Sequence, residues 1–288
     1  MLLDLLNEAR RSRKPLLAPG VFDGLSARAA ARAGFQALYL SGFCVAGTRL
    51  GQPDIGLVTA TEMAETAARI VDAGGGLPLI ADADNGYGGP MNVARTVRDY
   101  ARAGVAGIQL EDQVHPKKCG HMENKAIVPL AEATLRIRVA RDTTADVAIV
   151  ARTDAIATDG LDEALRRADA FLAAGADVLF IEAPTSTDEL ETIATRFAGV
   201  PLVANLVEDG KTPLPAIDVL GELGFALVLR PVSALLRVTE TLRAVYRELA
   251  QDGAPDPDAQ RVRFDEFNRL AGLDEIDAYV DQLSGAQE

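Results

Sequence analysis

The segment from residue 111 to residue 121 concentrates the reactive side chains of the chain. It reads Glu-Asp-Gln-Val-His-Pro-Lys-Lys-Cys-Gly-His and includes both histidines of the protein. The cationic neighbours of Cys119, which are Lys117, Lys118 and His121, favour its thiolate and would tune it as a proton donor or acceptor. An apolar run at 105–110 predicts a strand before this segment, so the reactive groups begin on rigid scaffold and continue into a loop. The histidines could equally serve only to order that loop.

Two further carboxylates, Asp82 and Asp84, follow an apolar run that begins at residue 78. Side chains alternate with a period of two at the end of a strand, so these two share a side. With Glu111 and Glu182 they give a surplus of negative charge that requires a cation, and an all-oxygen set suits Mg²⁺, with Mn²⁺ as an alternative. Zinc would prefer histidine or thiolate ligands. The competing interpretation is an ordinary Asp-rich turn before Asn85.

The elements that must position these groups form a weak repeat of helix end, glycine and apolar strand. Together with four other apolar runs the repeat gives eight strands alternating with helices, which predicts an α/β fold, a (β/α)₈ TIM barrel. A doubly wound sheet is the main competitor, but the chain has no Gly-x-Gly-x-x-Gly after its first strand. The carboxyl ends of barrel strands converge on one face, where active sites lie. Seven predicted strands end in polar residues: Ser41, Asp82, Glu111, Arg152, Glu182, Asn205 and Arg230.

The composition of the chain excludes some classes of binding partner. Lys and Arg total 29 against 42 Asp and Glu, a net charge of −13, which argues against nucleic acid or an anionic membrane. A small anionic substrate is still compatible with a local cluster of basic residues. The amino terminus lacks the features of a signal peptide, and no segment approaches the ~20 apolar residues of a membrane span. With only Cys44 and Cys119, we expect a reduced, cytoplasmic protein in which Cys44 is a buried structural thiol.

Four motifs together resemble the isocitrate lyase and phosphoenolpyruvate mutase superfamily. They are Asp-Ala-Asp-Asn-Gly-Tyr-Gly at 82–88, Leu-Glu-Asp-Gln at 110–113, Lys-Lys-Cys-Gly-His at 117–121 and Ala-Arg-Thr-Asp at 151–154. The resemblance covers about residues 15–236. It is strongest to the short lyase branch, which contains 2-methylisocitrate lyases, 2,3-dimethylmalate lyases and carboxyphosphonoenolpyruvate phosphonomutases.

The resemblance implies a (β/α)₈ barrel at 1–250 and a linker with C-terminal helices at 251–288, exchanged between subunits of a homotetramer. It also implies Mg²⁺ holding a 2-hydroxy or 2-keto carboxylate. By position, the metal residues would be Asp82, Asp84 and Glu111. Those bearing on catalysis would be Cys119, Lys117, His121, Arg152 and Glu111, with Lys117 to His121 forming a mobile gating loop. Those bearing on substrate binding would be Ser41, Gly42, Phe43, Asp54, Gly120, Arg152, Glu182, Asn205 and Arg230.

The implied reaction is cleavage of a carbon–carbon bond in a 2-hydroxy di- or tricarboxylate, which releases pyruvate or glyoxylate. Phe43 narrows the room for a third carboxylate. Met122 follows the loop histidine where an arginine would supply charge for that carboxylate. A 2-alkylmalate therefore fits better than 2-methylisocitrate. Two alternatives stay open. One is a carbon–phosphorus mutase, because a cysteine in this loop also occurs there. The other is an oxaloacetate decarboxylase-like enzyme or a barrel that binds keto acids without turnover.

Overall fold

A computed structural model of the chain describes residues 1–120, 122, 124–210, 212–213, 215–256 and 258–285. The chain divides into two compact units, Met1–Ala234 and Leu235–Glu288. The predicted boundary at residue 250 falls within the second unit and stays a prediction. His121, one of the predicted site residues, lies outside the described residues.

Eight parallel strands pair in chain order and close into a barrel. Closure is made by β1 and β8, with Leu16 opposite Leu227. Each of the eight apolar runs is a strand, which confirms the predicted fold. The bounds are β1 Leu16–Val21, β2 Leu38–Leu40, β3 Leu79–Asp82, β4 Gly107–Glu111, β5 Ala148–Thr153, β6 Val178–Ile181, β7 Leu202–Asn205 and β8 Leu227–Arg230.

Helices connect the strands, and several begin at the capping residues that the sequence supplies. Thr59 and Glu62 form a reciprocal capping box at α4, and Pro90 occupies the first turn of α5, where its missing N–H costs nothing. The helices are α1 Leu2–Ser12, α2 Gly24–Arg32, α3 Gly42–Val45, α4 Ala60–Ala73, α5 Pro90–Arg102, α6 Leu130–Thr143, α7 Ile156–Asp159, α8 Leu161–Ala173, α9 Thr187–Arg196, α10 Ile217–Leu223 and α11 Ser233–Asp252, with a π-helical turn at Ala46–Leu50.

The barrel interior is a packed apolar core that leaves only one end for chemistry. Leu2, Leu6 and Ala9 of α1 belong to the core cluster, and Leu2 lies against Gly107, the first residue of β4. Helix α1 therefore covers the amino ends of the strands. The strands contribute Leu16, Ala18, Tyr39, Ile80, Ala148, Val150, Val178, Phe180, Val203, Leu227 and Leu229 to the same cluster. The carboxyl ends are left for the site.

The second unit contains two helices that bury none of their described side chains, α12 Phe264–Ala271 and α13 Leu273–Gly285. Their apolar residues are exposed, and Phe264 reaches 83 %. The sequence predicts one or two terminal helices here, and the structure has two. Among the described residues, no helix combines the length and hydropathy that crossing a membrane requires.

Candidate active site

Six of the seven predicted polar strand ends face the mouth of the barrel, because each has the parity of a buried interior residue. Arg152 lies two positions after Val150, and Glu182 lies two positions after Phe180. The same relation places Asp82 two positions after Ile80. The others are Ser41, Glu111 and Asn205. The mouth therefore presents one hydroxyl, three carboxylates, one guanidinium and one amide above the apolar core.

One half of the mouth is a buried cluster of three aspartates and a lysine, Asp54, Asp82, Asp84 and Lys117, which we call the metal side. The Nζ atom of Lys117 lies 2.7 Å from Oδ1 of Asp54 and 2.8 Å from Oδ1 of Asp84. Its side chain is only 4 % exposed. Lys117, expected in a mobile loop, thus binds the carboxylates of the floor. Three carboxylates against one ammonium leave two negative charges uncompensated.

The pKa values show the same deficit of positive charge. Burial raises the pKa of Asp84 from its ordinary 3.8 to about 7; Lys117 opposes this rise, while Asp82 and Asp54 add to it. Burial alone would lower the pKa of Lys117, but the carboxylates of Asp84, Asp54 and Asp82 outweigh burial and raise it well above the ordinary value. One ammonium is therefore insufficient to keep Asp84 fully ionised at neutral pH.

Two hydrogen-bond donors hold the carboxylate of Asp82 in one orientation, and both donate to its Oδ1 atom. The backbone N–H of Asp84 donates to its Oδ1 at 3.0 Å, and Nε2 of Gln109 donates to the same atom at 3.3 Å. The hydroxyl of Tyr39 donates to Oε1 of Gln109 at 3.0 Å, which fixes the direction of the amide. A Cβ on Gly42 would stand 2.8 Å from Oδ2 of Asp82. Glycine therefore keeps the space beside that second oxygen clear.

The metal side fits Mg²⁺ by its donor chemistry. Carboxylate oxygens are the ligands Mg²⁺ prefers, and the ion is commonly held by one or two carboxylates with water completing the shell. Within the described ranges, no three Asp, Glu, His or Cys side chains lie close enough to ligate one ion. The structure therefore does not bring Asp82, Asp84 and Glu111 together as a direct three-ligand set. Asp82 and Asp84 are the residues that would hold the ion.

Glu111 lies between the two halves of the mouth. Its Oε2 is 3.5 Å from Nε of Arg152, and its Oε1 is buried without a hydrogen-bond partner among the described residues. Burial raises the pKa of Glu111 well above its ordinary value, against the opposing effect of Arg152. An unpartnered buried carboxylate oxygen indicates a place for a ligand or a proton.

The other half of the mouth is centred on Arg152, Asp154 and Lys125, which we call the arginine side. Nε and Nη2 of Arg152 donate to the two oxygens of Asp154 at 2.9 and 3.0 Å, a bidentate pair. Glu182 lies at 4.0 Å from Nη1, and the guanidinium stacks 5.1 Å from the ring centre of Phe180. Burial alone would raise the pKa of Asp154, but Arg152 and Lys125 outweigh it and hold that pKa well below its usual range.

The loop after β4 packs onto both halves. The N–H of Cys119 donates to the carbonyl of Asp54 at 3.2 Å. A Cβ on Gly120 would stand 2.3 Å from Nη2 of Arg152 and 2.5 Å from Oε1 of Glu182. Only glycine allows this approach, so the described part of the loop lies directly over the arginine. The role assigned to Cys119 as proton donor stays a prediction.

Of the residues that follow β2, Gly42 lies beside Asp82 and Asp84 of the metal side. Ser41 caps α3 by accepting the N–H of Cys44 at 3.4 Å, and Phe43 is half-buried in the same short helix. Cys44 is fully buried, its Sγ donates to the carbonyl of Pro231 at 3.2 Å, and burial raises its pKa to about 12. The prediction that Cys44 is a buried structural thiol is confirmed.

Arg230 is not brought into the mouth, whereas Asn205 is. Nδ2 of Asn205 donates to both oxygens of Glu182, at 3.2 and 3.3 Å. Arg230 follows the interior residue Leu229, so its side chain has the opposite parity and lies outside the barrel, 3.8 Å from Oε1 of Glu208. The expectation that Arg230 binds a substrate carboxylate therefore has no support in the geometry.

Sequence reasoning missed Asp154, Lys125, Gln109 and Tyr39 as site residues. Asp154 carried a usable signal, because it follows Arg152 by two positions and must share its face. Gln109 carried the same signal before Glu111. Lys125 had none, since its place depends on how the loop folds back.

Comparison with known proteins connects this geometry to a family. The family model described as phosphoenolpyruvate phosphomutase matches residues 6–250. The chain is 44 % identical over 277 residues to 2,3-dimethylmalate lyase of Eubacterium barkeri, covering 94 % of each protein.

Solved structures agree. Oxaloacetate acetylhydrolase with the inhibitor 3,3-difluorooxalacetate superposes with a TM-score of 0.92 at 36 % identity, covering 99 % of this chain and 96 % of the other. Phosphonopyruvate hydrolase in complex with oxalate and Mg²⁺ gives a TM-score of 0.83 at 29 % identity, covering 96 % of each chain. With its family match, fold and relatives in agreement, the chain belongs to the phosphoenolpyruvate phosphomutase family, within the isocitrate lyase and phosphoenolpyruvate mutase superfamily.

Proposed function

We propose that the protein is a Mg²⁺-dependent carbon–carbon lyase that cleaves a 2-hydroxy dicarboxylate into a 2-keto acid and a carboxylate. The observation that carries this proposal is the metal side, where three buried carboxylates and one ammonium leave two negative charges uncompensated. A divalent cation balances that charge. The relative named 2,3-dimethylmalate lyase, at 44 % identity, supports a lyase of this kind.

The reaction assigns a role to each group of the mouth. The hydroxyl proton of the substrate passes to a base, for which we propose Glu111 with its unpartnered Oε1. The C2–O bond becomes a carbonyl as the C2–C3 bond breaks. The electron pair of the C2–C3 bond passes to C3 of the leaving carboxylate, and C3 takes a proton from the thiol of Cys119. Bound Mg²⁺ would stabilise negative charge on the substrate oxygens. Arg152 contributes fixed positive charge in a buried site, where such charge acts strongly.

The substrate we propose is a dicarboxylate of the 2-alkylmalate type. Arg230, expected with Asn205 to hold the second carboxylate, lies outside the barrel beside Glu208, which leaves Asn205 for that carboxylate. Phe43 adds bulk next to Ser41, and Met122 stands where an arginine would supply charge for a third carboxylate. The last two features disfavour a tricarboxylate such as 2-methylisocitrate.

The test is a keto-acid release assay coupled to lactate dehydrogenase, run on a panel of 2-hydroxy di- and tricarboxylates with Mg²⁺ or with chelator. We expect release from a 2-alkylmalate that stops with chelator and returns with Mg²⁺. No keto acid from any member of the panel would rule out the proposed lyase.

A second candidate is hydrolysis of a carbon–carbon bond in a 2-keto dicarboxylate. The TM-score of 0.92 to oxaloacetate acetylhydrolase favours it. Oxaloacetate consumed with formation of oxalate and acetate, and no keto acid from the hydroxy acids, would select this reaction. A new carbon–phosphorus signal in phosphorus NMR would instead select the mutase.

We also propose that the protein assembles as a homotetramer through its C-terminal helices. Helices α12 and α13 bury none of their described side chains, and Phe267, Ile276 and Tyr279 are 45 %, 58 % and 62 % exposed. A second copy of the chain is the partner that would cover them. Sedimentation should give a tetramer for the wild type and a smaller species for Phe267→Asp/Ile276→Asp. A monomeric wild type would contradict the proposal.

A further inference from the structure

Lys125 makes two short contacts that join the loop to the floor of the site. Its Nζ donates to the carbonyl of Gly120 at 2.5 Å and to Oδ1 of Asp154 at 2.6 Å. The side chain of Lys125 is 1 % exposed and that of Asp154 is not exposed at all. A buried ammonium with a carboxylate partner is costly to separate, because each charge would remain in a low-dielectric surrounding.

Asp154 connects that ammonium to the substrate-binding guanidinium. The oxygen that accepts from Lys125, Oδ1, also accepts from Nη2 of Arg152 at 3.0 Å, and Oδ2 accepts from Nε at 2.9 Å. Asp154 is itself fixed from behind, since its N–H donates to Oδ1 of Asp112 at 2.9 Å and Asp112 is paired with Arg167 at 3.0 Å. One rigid carboxylate therefore receives the loop lysine and the arginine together.

Gly120 contacts both Lys125 and Arg152 from the side of the loop. Its carbonyl accepts from Lys125, and its Cα lies against Nη2 of Arg152 and Oε1 of Glu182. Lys125 therefore holds Gly120 on the arginine while it is itself held by Asp154. Lifting Gly120 would break the contact between Lys125 and Gly120 or, if Lys125 moves with Gly120, the contact between Lys125 and Asp154.

We propose that Lys125 is a latch that couples closure of the loop segment 117–120 to the orientation of Arg152 through Asp154. Lys125 touches no reacting atom in this arrangement and acts as a positioning residue. The proposal deepens the proposed function, on which it rests for the identity of the reaction. The latch itself is a property of the loop and is measurable without turnover.

The experiment compares wild type, Lys125→Met and Lys125→Arg, with Lys14→Met at an exposed site as the control. Hydrogen exchange is followed in peptides of the loop and of β4 and β5, with and without oxalate and Mg²⁺. For Lys125→Met we expect exchange in the loop to accelerate at least tenfold while β4 and β5 stay unchanged. Lys125→Arg, which keeps the charge, should recover slow exchange, and Lys14→Met should match the wild type.

Loop exchange in folded Lys125→Met equal to the wild type overturns the latch. If Lys125→Met also loosens β4 and β5, Lys125→Arg decides: slow loop exchange supports the proposal, and fast loop exchange over intact strands overturns it. In the lyase assay, Lys125→Met should lower kcat at least tenfold and change KM less than threefold. A wild type that shows the latch but releases no keto acid overturns the proposed function and leaves the latch standing.

Discussion

The two halves of the barrel mouth are built from the same parts but reach opposite electrostatic outcomes. On the metal side, Lys117 pairs with Asp54 and Asp84, and burial still raises the pKa of Asp84 to about 7. On the arginine side, Asp154 is shared by Arg152 and Lys125, and its pKa lies well below the usual range despite burial. In the first half one ammonium faces three carboxylates, whereas in the second half two cations share the single carboxylate of Asp154.

This difference separates two uses of a buried aspartate. The charge of Asp154 is balanced by Arg152 and Lys125 of the chain itself. Removing this carboxylate should therefore lower the free energy of unfolding. Asp84 is not satisfied by the chain, so its carboxylate opposes folding until an external cation arrives. Binding sites are commonly kept at such a cost to the free protein.

The largest effect should come from Asp154→Asn, which removes the carboxylate partner of Lys125 and the bidentate partner of Arg152 in a buried site. Breaking one partner of a buried ion pair costs about 3–5 kcal/mol of unfolding free energy, measurable by urea denaturation. Asp169→Asn is the control, because Asp169 and Arg196 form a comparable pair at 2.7 Å that is exposed at 46 % and 56 %. Its loss should cost at most about 1 kcal/mol. Equal losses in the two variants would remove the contrast between the halves.

Asp84→Asn should weaken metal binding without lowering the stability of the metal-free protein, the opposite of the effect expected for Asp154→Asn. We expect Mn²⁺ or Mg²⁺ affinity by calorimetry to fall at least about 100-fold, because a direct carboxylate ligand is removed. Without metal, the variant should be as stable as the wild type or more stable, since the replaced carboxylate was held at a raised pKa. A metal-free Asp84→Asn protein several kcal/mol less stable than the wild type would contradict this assignment.

The pH dependence of metal binding follows from Asp84 in the metal-free protein, where Lys117, Asp54 and Asp82 face it. A folded pKa of about 7, above the ordinary 3.8, means the folded state holds an extra proton between those values. Metal-free stability from this group therefore falls as pH rises from about 4 to 7. Metal must displace that proton, so affinity at pH 6 should be about tenfold weaker than at pH 8. Calorimetry in two buffers should detect about one proton released at pH 6.

The smallest effect on metal binding should come from changing Gln109 and Tyr39, the residues that orient the carboxylate of Asp82. Gln109→Met removes one of two donors to its Oδ1 and should weaken metal binding by about tenfold, the lower end for groups behind a ligand. Tyr39→Phe, one step further away, should weaken it less. Neither change should alter hydrogen exchange in the loop over Arg152. A larger effect for Tyr39→Phe than for Gln109→Met would show that the order of this chain of hydrogen bonds is wrong.

The barrel could be predicted because its signals are local. A helix end, a glycine and an apolar run recur four times along the chain, before β2, β4, β6 and β8, and each run is a strand. The direction of individual side chains could not always be predicted. Strand β8 reads Leu-Val-Leu-Arg and is buried on both faces, so no polar alternation shows that Arg230 faces outwards. Asn205, at the end of an equally apolar strand, faces inwards.

The pairing of loop and floor was beyond sequence reasoning for a different reason. Lys117 and Lys125 are separated from Asp54 and Asp154 by 63 and 29 positions, and each pair forms only when the loop folds back. Sequence motifs identified the reactive loop but not its partners. A charge count over the assembled mouth was needed to tell the metal side from the arginine side.

Keto-acid release during a Mg²⁺ titration of chelator-treated wild type and Asp84→Asn, with a 2-alkylmalate as substrate, tests whether the metal side holds the ion that cleavage requires. We expect release that depends on Mg²⁺ and saturates with one ion per chain in the wild type, with little release from a folded Asp84→Asn protein. Release that persists in chelator, or that is unchanged in Asp84→Asn, would contradict this expectation.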